Sequence, residues 1–291
     1  MDAKNVLEQL SLSDDTVGLG GCKSHGLTLG CCEYNLTVFD DKKSGDEIHA
    51  VDGDLIKVHH GTLGESNSDI LQKYDGMFVL SDPDWGLKIF LSKIKEKNDK
   101  IKKSCIKNCL VDSALYATKA KQGMQSDPFA SSWLKCAAYS ITDALLLYNG
   151  KQQSPTHALE IVRKLKKSKA NESFSILADV IGLERATPSL LSRMLKSTVG
   201  FSDMIEGNGN SEIIQKKCEY LLDNSLLSDC YFYLGCMNRN ILVSLRDTIH
   251  KKPELIHVLK TALDIEHDVT KTELHASKIH KLAHDLTNLL S

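Results

Sequence analysis

The hydrophobic periodicity of this chain changes near residue 85, and that change constrains the fold more than any other feature. Before it, short apolar runs alternate with Gly and Asp, a pattern typical of strands and turns. Beyond it, apolar residues recur at three- and four-residue steps, as in helices that pack together. The chain is therefore predicted to be of the α+β class, with a C-terminal all-α helical bundle. The predicted N-terminal elements are strands in TVGLGG (16–21), YNLTVFD (34–40), LIKVHHG (55–61) and GMFVL (76–80), and helices at 2–11 and 67–74.

A long helix predicted in the second part begins after Ser126-Asp127-Pro128, an N-cap region with proline in the first turn. It follows FASSWLKCAAYSITDALLLYNG, and Gly150 ends it. A linker is predicted at GFSDMIEGNGNSE (200–212), which is rich in Gly and Asn. Further helices are predicted at about 155–168, 173–182, 188–199, 211–226, 228–250 and 253–289, the last broken near Asp268.

The net charge of −2 conceals two unlike parts. Residues 1–90 carry 16 Asp and Glu against 7 Lys and Arg, a balance of −9, whereas residues 91–291 carry 22 against 29, a balance of +7. Such asymmetry fits two domains with different roles. We therefore predict an α/β domain over 1–90 and a helical domain over 91–291, with a subdivision of the helical domain near 200–212.

Composition and the absence of long apolar runs predict the environment of the protein. Hydrophobic residues make up 42% and charged residues 25%, a mix typical of folded proteins outside membranes. No apolar run approaches the roughly 18 residues that cross a bilayer, and the first residues lack the pattern of a secretory signal. The nine cysteines are an odd number without a CxxC pair, which favours reduced thiols. We predict a cytoplasmic protein with no membrane partner.

The segment VGLGGCKSHGLTLGCCEYNLTVF (17–39) carries the most chemical information. A strand leads into paired glycines, a short helix opening and a loop, and then into a second strand. Because side chains alternate along a strand, Glu33 and Asn35 are predicted to share one face. The opposite face, directed at the core, is predicted to hold Tyr34, Leu36 and Val38.

This arrangement resembles the nucleotidyltransferase superfamily, in which a turn reading GSxxxG is followed at a fixed distance by a strand reading D-h-D-h. Gly21-Cys22 takes the place of Gly-Ser, and Gly26 matches the later glycine. Glu33 and Asn35 fall on the two aspartates without a gap. The resemblance implies an N-terminal mixed sheet with helices and a glycine turn that holds the phosphates of a nucleoside triphosphate. It also implies carboxylates that hold Mg²⁺.

The match departs from the family pattern at each chemically demanding position. Cys22 replaces a hydroxyl with a thiol, Asn35 replaces an anionic ligand with a neutral one, and Glu33 is longer than Asp. Glu33 is the one acidic metal ligand that remains, so Mg²⁺ affinity is expected to be low. Farther along the chain, FASSWLKCAAYSITDALLLYNGKQQSPTHAL resembles the substrate-binding helical domain found beside such nucleotidyltransferases, which is related to the HEPN class.

The third carboxylate of the family belongs on the strand LIKVHHG, which contains no Asp or Glu. Ile56 and Val58 are predicted to face the core, which places Lys57 on the opposite face. We hypothesise that Lys57 occupies the third-carboxylate position, where its ammonium group replaces the metal charge beside Glu33 in an ion pair. A solvated strand lysine is the alternative.

Three classes of function follow from these residues. The first is a nucleotidyltransferase-fold protein without efficient transfer activity, which binds a nucleotide, a regulatory protein partner or another copy of itself. The first alternative is an active enzyme that transfers a nucleoside monophosphate from a nucleoside triphosphate, with Mg²⁺, to an acceptor. The second is a nucleic-acid-binding or ribonuclease-like HEPN module, for which the nearest Arg/His pair is Arg246 and His250. Enzymatic activity is left open by these alternatives.

Overall fold

The computed structural model describes residues 3–26, 28–42, 45–150, 154–266 and 268–290. In these ranges the strands are β1 Val17–Gly20, β2 Tyr34–Val38, β3 Glu47–Val51, β4 Asp54–His60 and β5 Phe78–Ser81. The helices are α1 Ala3–Gln9, α2 Ser68–Leu71, α3 Gly86–Glu96, α4 Asn98–Gly123, α5 Ala130–Tyr148, α6 Ala158–Arg163, α7 Lys169–Glu172, α8 Phe174–Ile181, α9 Pro188–Ile205, α10 Asn210–Asp223, α11 Leu227–Ser244, α12 Leu255–Ala262 and α13 Val269–Leu290. A sheet followed by many helices confirms the predicted α+β class.

Internal packing divides the chain into two units. Residues 1–104 and 208–213 form the first unit, which contains the whole sheet. Residues 105–207 and 214–291 form the second unit, whose described regular elements are helices. None of the helices in the described ranges combines the length and the apolar character that a membrane crossing requires.

The sheet is mixed, with the strand order β3-β4-β2-β1-β5. β2 and β4 pair in parallel, whereas the other neighbours pair antiparallel. The edge strand β3 was not predicted from the sequence. It buries only Val51, so it lacks the alternation of apolar residues that identifies a half-buried strand, and its ladder to β4 holds it in the sheet.

One face of the sheet packs on the core of the first unit, as predicted. Leu36 and Val38 of β2 and Ile56 and Val58 of β4 are buried in one cluster, and Tyr34 is partly buried against it. Alternate residues of the same strands therefore lie on the opposite face. That face carries the polar residues singled out in the sequence.

Helix α5 lies at the centre of the second unit and packs on α8, α11 and α13. It begins at Ala130 rather than at Phe129, directly after Pro128. The Asp127 carboxylate accepts the backbone N–H of Phe129 at 2.8 Å and the indole N–H of Trp133 at 3.1 Å. These bonds hold residues 127–129 outside the helix, so the predicted start was one residue early.

The predicted linker at 200–212 is wrong in extent. Helix α9 continues to Ile205 and α10 begins at Asn210. Phe201 and Ser202 are 0% and 1% exposed, so their burial keeps this stretch helical despite the nearby glycines. By contrast, the predicted break near Asp268 is confirmed, because α12 ends at Ala262 and α13 begins at Val269.

Candidate functional site

The glycine turn joins β1 to a short 3₁₀ turn at Cys22–Ser24. Gly21 has φ 71° and ψ −156°, a conformation essentially restricted to glycine. The Ser24 hydroxyl donates to the Gly21 carbonyl at 2.9 Å and closes the turn. Because Gly20 pairs with Asn35 across β1 and β2, the turn lies beside the strand that carries Asn35.

The predicted site residues on β2 and β4 lie close together. Asn35 and Lys57 are directly opposite each other in the parallel ladder. Glu33 lies just before β2, and its Oε1 accepts a hydrogen bond from Asn35 Nδ2 at 3.2 Å. The structure therefore brings Glu33 beside Asn35 and Asn35 beside Lys57.

Three residues that sequence reasoning did not assign to the site, Asp46, His59 and Asn210, complete its hydrogen bonds. Asp46, from the segment before β3, lies 2.9 Å from Lys57 Nζ and 2.7 Å from His59 Nδ1. The other ring nitrogen of His59 lies 3.3 Å from Asn35 Oδ1. Lys57 also donates to Asn210 Oδ1 at 3.3 Å. Together Glu33, Asn35, Asp46, Lys57, His59 and Asn210 form a continuous cluster, termed the β2–β4 polar network.

Asp46 is the anionic centre of this network. Burial by itself raises the pKa of Asp46, but the hydrogen bond and charge of His59, followed by the charge and hydrogen bond of Lys57, outweigh that effect. The pKa of Asp46 consequently lies well below its ordinary value. The carboxylate is ionised at neutral pH and neutralises the cationic side of the network.

The donor set of the network does not fit Mg²⁺. This ion is bound through carboxylate oxygens, waters and substrate phosphates. Here Asn35 Nδ2 donates to Glu33 Oε1, so one oxygen of the remaining acidic ligand is engaged by an amide. Lys57 supplies a positive charge directly opposite Asn35. An ammonium group at this position repels a second cation.

The hypothesis about Lys57 has two parts with different outcomes. Lys57 lies on the polar face beside Asn35, where the third-carboxylate comparison predicts it. Its ion pair in the structure is with Asp46, which sequence reasoning missed because Asp46 precedes the unpredicted strand β3. The ion pair between Lys57 and Glu33 stays a prediction. His59 could have been found from its alternation with Lys57, whereas Asn210 is 153 residues away from Lys57 and gives no local signal.

The second unit contains a separate buried polar cluster around Lys135. Its ammonium group donates to Tyr231 Oη at 3.0 Å and to the backbone carbonyls of Leu263 and Asp264 at 2.6 and 3.1 Å. Burial lowers the pKa of Lys135 to about 8, although the Asp264 carboxylate acts in the opposite direction. Since each of its three N–H groups has an acceptor, Lys135 anchors the chain after α12 and is already saturated with hydrogen bonds.

Gly21 and Gly26 offer a matched test of the glycine turn. Both have φ 71°, but an added Cβ at Gly21 lies 2.7 Å from Asn35 Nδ2, whereas one at Gly26 meets nothing within 4 Å. We expect Gly21→Ala to lower the free energy of unfolding by about 2 kcal/mol, from backbone strain and displacement of the Asn35 amide. Gly26→Ala should cost about 1 kcal/mol. Urea denaturation of both variants measures the difference, and equal losses would contradict the role given to Asn35.

Comparison with known proteins does not assign the chain to a family. No protein-family model matches it, and no curated protein matches it significantly. The resemblance to nucleotidyltransferases and to the HEPN class therefore depends on the quoted residues and stays a prediction.

Proposed function

We propose that this protein has a nucleotidyltransferase-like fold without efficient transfer activity and binds a nucleoside triphosphate through the β2–β4 polar network and the glycine turn. The proposal also includes regulation of a protein partner that binds the polar face of the sheet. The Lys57 ammonium group takes the charge-balancing role that Mg²⁺ has in an active enzyme.

The single observation that carries the proposal is the position of Lys57. It lies opposite Asn35 in the ladder and 2.9 Å from Asp46. In phosphoryl transfer, metal ions neutralise charge that develops on the phosphates and orient the attacking group. A lysine supplies positive charge but lacks the coordination geometry that orients two oxygens. This difference supports binding of phosphates without their efficient transfer.

His59 belongs to the same polar network as Lys57. The Asp46 carboxylate lies 2.7 Å from His59 Nδ1, and the Asn35 amide oxygen lies 3.3 Å from His59 Nε2. The Asn35 amide is oriented by its donation to Glu33, which leaves its oxygen toward the ring. These contacts hold the His59 ring beside Lys57 on the polar face of the sheet.

Calorimetry with a nucleoside triphosphate tests the proposal on the full chain. Binding should persist when EDTA removes divalent ions, since Lys57 supplies the positive charge. Lys57→Met should weaken binding at least about tenfold, which corresponds to about 1.4 kcal/mol. No pyrophosphate should be released with Mg²⁺ or Mn²⁺ present.

The control variant is Lys88→Met, in the same unit. Lys88 lies 4.0 Å from the ring centre of the exposed Trp85 and belongs to α3, outside the polar network. It should bind the triphosphate like the unchanged protein. Pyrophosphate release that needs Mg²⁺ and disappears in Glu33→Gln would instead establish the active enzyme. Absence of triphosphate binding both in EDTA and with Mg²⁺ or Mn²⁺ would overturn the nucleotide part of the proposal.

A further inference from the structure

Two cysteines of the first unit bring their sulfur atoms together. Cys22 and Cys32 are 2% and 4% exposed, and their Sγ atoms lie within 4.8 Å of each other. No disulfide joins cysteines in the described part of the chain. Two thiolates bound to one tetrahedral zinc ion are roughly 3.8 Å apart, because each Zn–S bond is about 2.3 Å. The separation of the two sulfurs is compatible with that geometry.

A backbone N–H group donates a hydrogen bond to one of these sulfurs, which favours its thiolate form. The N–H of Leu29 donates to Cys32 Sγ at 3.4 Å, while the Cys32 N–H donates to the Leu29 carbonyl at 3.0 Å. A hydrogen bond from a backbone N–H to sulfur stabilises the thiolate, which is the form that binds metal. An ordinary buried thiol in an apolar core needs no such donor.

The sheet fixes the positions of both cysteines. Cys22 begins the turn directly after β1, and Cys32 ends the loop shortly before β2. β1 and β2 pair with each other, from Val17 opposite Val38 to Gly20 opposite Asn35. The two cysteines therefore flank neighbouring paired strands, and little chain entropy is lost when a metal bridges their sulfurs.

We propose that Cys22 and Cys32 provide two thiolate ligands of a Zn²⁺ site. The ion displaces one proton from each thiol, so two protons are released to solvent and no electron is transferred. Thiolate ligands select soft or borderline ions such as Zn²⁺ over Mg²⁺. This site shares the glycine turn with the proposed nucleotide function but does not rest on it, because metal binding by the two thiolates requires no nucleotide.

Cobalt(II) titration of the reduced full chain tests the proposal, because Co²⁺ occupies zinc sites and shows sulfur-to-metal charge-transfer bands. We expect one Co²⁺ per chain, with these bands, and its displacement by Zn²⁺. Cys22→Ser and Cys32→Ser should each reduce the intensity of the bands by about half or abolish them. The Co²⁺ affinity of each should fall by more than the roughly 10–100-fold that follows loss of an outer contact.

Cys31→Ser is the matched control, because Cys31 is adjacent in sequence and equally buried at 3% exposure. It should keep the bands and the affinity. Protection from alkylation adds a test on the unchanged protein: Zn²⁺ should slow modification of Cys22 and Cys32, read by peptide mass spectrometry. Absence of sulfur-to-cobalt bands, or bands that survive in both serine variants, would overturn the site. Because the titration contains no nucleotide, its failure leaves the nucleotide proposal to its own experiment.

Discussion

Trp133→Ala is expected to lower the free energy of unfolding of the helical unit by about 3–5 kcal/mol. Trp133 is completely buried, and its ring stacks on Tyr116 with 5.6 Å between ring centres. Its indole N–H donates to Asp127 at 3.1 Å, and Lys119 Nζ lies 3.8 Å from the ring centre. The substitution thus opens a cavity and removes the contact that helps Asp127 define the start of α5. Denaturation followed by helical circular dichroism measures the loss.

Trp85→Ala is the matched control, because Trp85 is the only other tryptophan of the chain. Its side chain is 64% exposed, so its replacement should change stability by no more than about 0.5 kcal/mol. Each variant keeps one tryptophan, and its fluorescence reports on one unit alone. Similar losses of unfolding free energy in the two variants would contradict the conclusion that burial of Trp133 stabilises the helical unit.

Gly235→Ala is expected to destabilise the same unit by about 3 kcal/mol, although alanine favours helices over glycine by about 1 kcal/mol. Gly235 lies in α11 and faces Tyr139 of α5. An added Cβ overlaps the Tyr139 hydroxyl and lies 2.6 Å from Cζ of the ring. Tyr139 is 1% exposed and packs edge to face on Phe232, so it cannot move away without further strain. Chemical denaturation should show the loss.

Gly200→Ala is expected to have the opposite effect on stability, although Gly200 is also a helical glycine. Gly200 lies inside α9, and an added Cβ there meets nothing within 4 Å. We expect it to raise stability by up to about 1 kcal/mol through helix propensity alone. Tyr139→Phe in the Gly235→Ala background should recover part of the loss, because it removes the nearest atom. If Gly235→Ala behaved like Gly200→Ala, α5 and α11 would be farther apart than the structure places them.

The contrast between these two glycines shows why part of the fold could not be predicted from sequence. Both lie inside helices of the structure, and only the partner helix distinguishes them. The same limit applies to β3, whose residues lack apolar alternation and are held by the ladder to β4. It also applies to residues 200–205, where burial of Phe201 outweighs the glycine-rich composition. In each case a contact distant in sequence outweighs local propensity.

Some features of the candidate site could likewise be predicted from the sequence, whereas others depend on strand pairing. The sharing of one face by Lys57 and His59 follows from the two-residue period of a strand. The opposition of Asn35 and Lys57 depends on the parallel pairing of β2 and β4, which sequence alternation leaves open. Asp46 enters through a strand that the sequence does not reveal.

By itself, the sequence determined the α+β class, the core faces of β2 and β4, and the placement of Lys57 and His59 on the polar face of β4. These features depend on residue type and on periodicities of two or 3.6 residues, both of which are local properties. The tertiary structure decided that Lys57 pairs with Asp46 and that Cys22 lies beside Cys32. Strand pairing decides both, because it brings together residues that no local periodicity relates.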